Sequence, residues 1–275
     1  MNRPGPAPDC AHCPARPELA QMGIGWGRYD YLVALAGNPN TGKSSLFNAL
    51  TGLKQHVGNW PGKTVTRAEG GFLYNGRRFK VVDLPGTYSL LSASPEEEVA
   101  RNFLLFGRPD CTVVVADATA IERNLNLVLQ ILEITDKVVV CVNLIDEAKR
   151  KGLEVDVRGL ARDLGVPAVA TVARTKQGVS ELVRTIAGVV TGQIRTQPLR
   201  PAYPPELETA IDELAPLVEQ AVPGIPNARW IAYRILDGDH RIRQALLSGE
   251  LAELVRAQRE APESHSRLLA IEGRQ

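Results

Sequence analysis

The stretch GNPNTGKSS at residues 37–45 restricts this chain to few folds. The apolar run before it, Tyr31 to Ala36, reads as a buried strand, and Leu46 to Leu50 after it reads as the first turns of a helix. Strand, glycine-rich turn and helix in that order make a phosphate-binding P-loop. Glycine lets the backbone curl so that successive N–H groups face inward, and the helix start adds the positive end of its dipole. Gly37, Asn38, Asn40, Thr41, Gly42, Lys43, Ser44 and Ser45 are therefore the candidate phosphate-binding residues. Lys43 supplies a charge, and Ser44 offers a hydroxyl to magnesium.

Downstream, a polar, glycine-rich stretch from Leu53 to Thr66 reads as one long loop, of the length that is usually functional in a compact domain. EGGFLY and RRFKVVD alternate like paired strands around an Asn75-Gly76 type I′ turn, which adds an antiparallel strand to the sheet. Ser94-Pro95-Glu96-Glu97 is a capping box opening a helix that ends near Gly107. Strands at Cys111–Asp117 and 137–143 then alternate with a helix at 121–134, and a further strand near 165–172 precedes a helix at 180–190. Strands apolar on both faces, fed by helical crossovers, predict an α/β fold with a mainly parallel sheet of six to seven strands.

Residues 1–28 show no sustained period and read as an irregular leader. Within it, Cys10, His12 and Cys13 are spaced like half of a metal knuckle, but no second ligand pair follows. The α/β unit then covers 29–192, a proline-rich linker 193–205, and an all-helical unit 206–262 whose first helix, 207–222, is interrupted at Pro216. Residues 263–275, with Ile-Glu-Gly-Arg at 271–274, read as a tail resembling an expression-derived protease site. Lys and Arg total 32 against 31 Asp and Glu, so charge demands no nucleic-acid partner. No apolar run approaches the twenty residues of a membrane span, and a soluble chain is expected. Cys111 and Cys141, inside apolar runs, suit a reducing setting as buried thiols.

Four groups fall at strand ends on one sheet edge: the P-loop, Thr64 in the long loop, Asp83 with Gly86 in DLPG, and Asn143 with Asp146 in NLID. Asp83 can reach a magnesium shell, and Gly86 lets a backbone N–H approach a γ-phosphate. The Asp146 carboxylate can accept both ring and exocyclic N–H of guanine, a pattern that adenine lacks, and such a site discriminates by about 10⁴-fold. Ala173, after the next strand, is placed to give its N–H to the guanine oxygen. GTP and GDP are thus the expected nucleotides.

GNPNTGKSSLFNALTG, VGNWPGKTV, DLPGTYSL and NLID, in this order, resemble the cytoplasmic GTPase region of the bacterial ferrous iron transport protein B family. ARWIAYRILDGD resembles that family's helical segment, likened to a guanine-nucleotide dissociation inhibitor. The resemblance spans about residues 30 to 260. It implies a Ras-like P-loop GTPase that regulates a membrane-embedded iron permease in the same full-length protein, at the cytoplasmic face of the inner membrane. Small accessory transport proteins and further copies of the chain are the other partners it implies. By position, Lys43 would hold phosphates, Gly62 and Thr64 would close on the γ-phosphate, and Ser44, Thr64 and Asp83 would serve magnesium. Asn40 would help place potassium, whose charge replaces an arginine, so Asn40, Lys43 and Thr64 are the catalytic candidates.

Three departures point to slow hydrolysis and modest nucleotide affinity: Thr87 stands where Ras-like enzymes keep a glutamine, Leu144 replaces a lysine, and Val172-Ala173 replaces Ser-Ala. The alternative reading is a soluble GTPase acting on RNA or the ribosome, and the third a nucleotide-dependent interaction module without turnover.

Overall fold

The computed structural model describes Leu19 and residues 22–24, 29–52, 55–91, 94–200 and 202–259. The Cys10–Cys13 motif and the tail at 263–275 lie outside these residues. Seven strands form one sheet: β1 (Tyr31–Gly37), β2 (Gln55–Asn59), β3 (Thr66–Tyr74), β4 (Arg77–Asp83), β5 (Cys111–Asp117), β6 (Val138–Asn143) and β7 (Ala168–Ala170). Their order is β2-β3-β4-β1-β5-β6-β7. Neighbours from β4 through β7 are parallel, whereas β3 runs antiparallel to both β4 and β2.

Alternate residues of β1 explain why its sequence is apolar throughout. Leu32, Ala34 and Ala36 enter one core layer, and Val33 and Leu35 enter the other. Both faces are covered, so no strand position in the centre of the sheet faces water. Helices α1 (Lys43–Thr51) and α6 (Val179–Val190) bury Phe47, Leu50, Leu182 and Ile186 on the second face. On the first face, α2 (Pro95–Phe106) and α3 (Ile121–Ile134) bury Phe103, Leu127 and Ile131, flanked by α4 (Ile145–Arg150) and α5 (Val157–Leu164). Cys111 and Cys141 are wholly buried, and burial pushes both thiols up, Cys141 to about 12, so neither is a thiolate at neutral pH.

Four helices follow: α7 (Pro205–Ala221), α8 (Ala228–Leu236), α9 (His240–Leu247) and α10 (Glu250–Arg259). They share a third apolar cluster, in which Ile211, Val218, Trp230, Ile231 and Ile242 meet Leu105 and Phe106 from the end of α2. The chain between α6 and α7 is tied down: the Gln197 N–H donates to the Gly165 carbonyl at 2.9 Å and the Leu199 N–H to that of Leu164 at 3.1 Å.

Two expectations need correction. The stretch 53–66 is not one loop, because Gln55–Asn59 pairs with β3 as an edge strand, and the tip from Trp60 to Val65 lies between the two strands. Pro216 does not interrupt its helix; α7 runs continuously through it, since Ile211 and Val218 on either side are both buried against the neighbouring helices. Within the stretch read as an irregular leader, Leu19 and Ile24 are buried in the first core layer.

Candidate functional site

Parallel register brings the chemistry to one edge. Leu35 pairs with Asp83, Gly37 with Val115, and Asp117 with Asn143, so the carboxyl ends of β1, β4, β5 and β6 line up side by side. The P-loop leaves β1 through Gly37, where an added Cβ would lie 2.6 Å from the Val115 carbonyl oxygen. It turns through Asn40 and Gly42, both left-handed with φ of 66° and 79°. Gly42 is the N-cap of α1, no side chain caps that helix, and its first turn carries no acidic residue. The N–H groups of that turn therefore keep their donors for a ligand, and the helix dipole favours an anion. Thr41 is buried and its hydroxyl donates to the Asn38 carbonyl at 3.0 Å, which braces the turn. Both polar atoms of the buried Asn38 amide find no partner among the described residues.

Lys43 reaches across to the end of β4. Its Nζ lies 2.5 Å from Asp83 Oδ1 and 2.7 Å from the Leu84 carbonyl. Burial raises the Asp83 carboxyl above its ordinary range, and the Lys43 charge opposes this without cancelling it. Ser44 and Ser45, the next two residues of α1, are exposed. Gly86 passes beside Pro39, and a Cβ there would make only ordinary contact at 3.5 Å.

Asn143 works as a strut. Its Nδ2 donates to the Thr41 carbonyl at 2.9 Å, while Oδ1 accepts from the Thr171 hydroxyl at 3.1 Å and the Ala173 N–H at 2.9 Å. The Ala173 N–H is thus taken by Asn143 rather than left open for a base. Asp146 differs: its Oδ1 is buried and finds no partner among the described residues, and Oδ2 lies 3.7 Å from the exposed Arg174. Leu144, between these two, holds a left-handed φ of 62°. Such backbone strain collects at functional loops.

Thr64 and Gly62 stand apart. They occupy the exposed tip between β2 and β3, on the same sheet edge as the P-loop because Asn59 pairs with Thr66 and Ala68 with Asp83. Neither is hydrogen-bonded to the P-loop among the described residues. The Thr87 hydroxyl donates to the Ser89 carbonyl at 2.6 Å and so does not point at the P-loop.

Other residues of this edge escaped the sequence reading. Gln130 Oε1 accepts the Leu90 N–H at 2.7 Å, and Arg123 lies over the Tyr88 ring at 4.4 Å, so α3 fixes the segment after DLPG. Lys63, beside Thr64, reaches Glu98 of α2 at 3.1 Å, and Glu98 also receives Arg241 of α9 at 2.8 Å. The only sequence signal for the second contact was an acidic residue in the capping-box helix.

The model for Ferrous iron transport protein B matches residues 31–186, and that for the FeoB cytosolic helical domain matches 203–270. The Fe(2+) transport protein A/Fe(2+) transporter FeoB fusion protein of Porphyromonas gingivalis is 40% identical over 216 residues, 77% of this chain and 26% of its own length. The Fe(2+) transporter FeoB of Salmonella typhimurium is 37% identical over 80% of this chain and 28% of its own length. The chain thus spans about a quarter of these relatives. The crystal structure of the cytosolic domain of the T. maritima FeoB iron transporter in a GMPPNP form superposes with a TM-score of 0.72 at 38% identity, covering 84% of this chain and 95% of that one. With the family model matched from β1 into α6 and the P-loop edge intact, the chain belongs to the ferrous iron transport protein B family.

Proposed function

We propose that this chain binds GTP and hydrolyses it to GDP and phosphate as the regulatory part of a longer ferrous iron transporter. The observation that carries this reading is the pairing, on one sheet edge, of an uncapped helix start beside Lys43 with a buried, partnerless carboxylate oxygen on Asp146. The first suits phosphate, and the second suits the N–H pair of guanine. The relative crystallised in a GMPPNP form supports the same choice of nucleotide. The residues also suit magnesium, which takes one or two carboxylates together with phosphate oxygens and water rather than an all-protein cage. Asp83 and Ser44 would hold it, joined by Thr64 when the hairpin tip closes. Once bound, magnesium would neutralise charge on the phosphates, and potassium beside Asn40 would add charge where other GTPases use an arginine.

The chain's own part is mostly positional. Lys43 turns from Asp83 to the phosphates, which frees that carboxylate. Asn143 holds the P-loop and the Ala173 loop at a fixed separation while Asp146 reads the base. Thr87 orients no water, because its hydroxyl serves Ser89, and turnover is accordingly slow. We place the GTPase unit at 29–192, the linker at 193–205 and the helical unit at 206–262, which would pass nucleotide state to a permease region of the same protein.

Titration with GTP and ATP, followed by phosphate release in potassium and in sodium, tests the reading. Guanine-selective binding with turnover well below the stimulated rate of about 5–20 per second is expected. Equal affinity for ATP, or binding with no turnover in either salt, would overturn it.

A further inference from the structure

The family match begins at residue 31, so what precedes β1 lies outside it. Leu19 and Ile24 are nonetheless 0% and 1% exposed, deeper than several strand residues. They lie in the same apolar cluster as Trp60, Val65, Val82 and Phe103. A turn closed by the Ile24 N–H on the Leu19 carbonyl at 2.8 Å presents two more carbonyls outward. That of Met22 accepts from Arg67 Nη1 at 2.7 Å, and that of Gly23 accepts from Nη2 at 2.6 Å. Gly23 is required here: its φ is 69°, and a Cβ would come 2.6 Å from Arg67 Nη1.

Arg67 stands at the root of the hairpin tip that carries Thr64. Its guanidinium lies 5.6 Å from the Trp60 ring centroid, and the Trp60 N–H donates to the Val65 carbonyl at 2.9 Å to close the tip. The remaining face of the guanidinium meets Glu69, with Nε and Oε1 2.8 Å apart, but Glu69 is shared with Lys80 at 2.6 Å. The two leader carbonyls therefore complete the solvation of a buried charge. The same two side chains, Trp60 and Arg67, that anchor the tip are the ones that the leader covers.

We propose that Leu19 and Met22–Ile24 form an intramolecular latch on the β2–β3 hairpin, holding its tip away from the P-loop. This rests on the reading that Thr64 closes over the terminal phosphate of GTP. For the tip to cross toward the P-loop, Trp60 and Val65 must shift within the cluster that Leu19 and Ile24 complete, and Arg67 must leave its carbonyl acceptors. GDP demands no such movement. The latch therefore weakens triphosphate binding selectively, and whatever displaces the leader raises the affinity for GTP over GDP.

The test uses the full chain carrying Leu19→Asp and Ile24→Asp together, which expels the leader without touching the hairpin. Amide exchange of residues 60–65 is read first, without nucleotide, and is expected to accelerate. Dissociation constants for GMPPNP and GDP are then compared, and a relative gain for GMPPNP of about 5-fold or more is expected. A lowered melting temperature with an unchanged ratio of the two constants would reduce the leader to a stability element and overturn the proposal, as would unaltered exchange. Failure of the unsubstituted chain to bind either nucleotide would strike the GTPase reading instead, while the exchange result still decides whether the leader holds the hairpin. Gly23→Ala, which forces Arg67 away without adding a charge, should reproduce the shift in a smaller measure.

Discussion

Lys43 Nζ and Asp83 Oδ1 stand 2.5 Å apart, the one from the P-loop helix and the other from the end of β4, with 11% and 15% of their side chains exposed. The cation proposed for phosphate and the carboxylate proposed for magnesium thus pair with one another across the site. Removing either partner has unequal results. Lys43→Ala leaves an ionised carboxylate buried alone and should cost about 2–3 kcal/mol. Asp83→Asn leaves the Lys43 ammonium to the Leu84 carbonyl and the new amide oxygen, and should cost less, about 1–2 kcal/mol. Urea denaturation of both variants without nucleotide checks this, and equal losses would contradict the asymmetry.

Asp146 should set the base. In Asp146→Asn one of the two acceptor oxygens becomes a donor amide, which opposes the exocyclic amine of guanine and suits the O2 of xanthine, so GTP affinity should fall by about 10²–10⁴-fold while xanthosine triphosphate becomes the better ligand. Competitive titration with both nucleotides measures the exchange. Retained guanine preference would remove Asp146 from the base site.

Asn40 needs a substitution that respects its backbone. At φ 66° an alanine would bring strain of about 1–2 kcal/mol, which a glycine avoids. Asn40→Gly should therefore abolish the excess of potassium-supported over sodium-supported turnover and leave GDP affinity within about twofold. A persistent potassium effect would place the ion elsewhere.

Glu98 joins three parts of the molecule through Lys63 and Arg241. Burial alone would raise its carboxyl, but hydrogen bonds and charge from these two cations outweigh burial and hold it below the ordinary glutamate range. Its contribution to stability is therefore present above the unfolded value of about 4.3 and is lost as pH falls through the lower folded value. Glu98→Gln should cost about 1 kcal/mol at neutral pH and flatten the loss of stability on acidification. Denaturation midpoints taken between neutral pH and about pH 3 compare the two slopes.

Much of this site is written locally, and that part was legible. The P-loop, DLPG and NLID each consist of residues whose chemistry and flanking periodicity agree, and the helix at 121–134 was read with its observed ends. What escaped reading depends on partners distant in sequence. QHVGN has no alternation and contains a glycine, so only its register with β3 makes it a strand. Pro216 is tolerated because the residues around it are anchored from outside the helix, a case of tertiary packing overriding propensity. Leu19 and Ile24 sit among prolines and glycines without a period, and Arg67 gives no hint of which carbonyls it will meet. The same holds for the Ala173 N–H, whose bond to Asn143 Oδ1 joins residues thirty positions apart.

The position of β2 has a mechanical meaning. It touches the sheet only through β3, by five paired residues from Gln55↔Gly70 to Asn59↔Thr66, and every other strand pairs without it. The sheet accordingly has a body of six strands and one border strand paired on a single side. A shift confined to this border would alter the width of the sheet while β4 and β6, which carry Asp83 and Asn143, and β1, which leads into the turn before Lys43, keep their spacing.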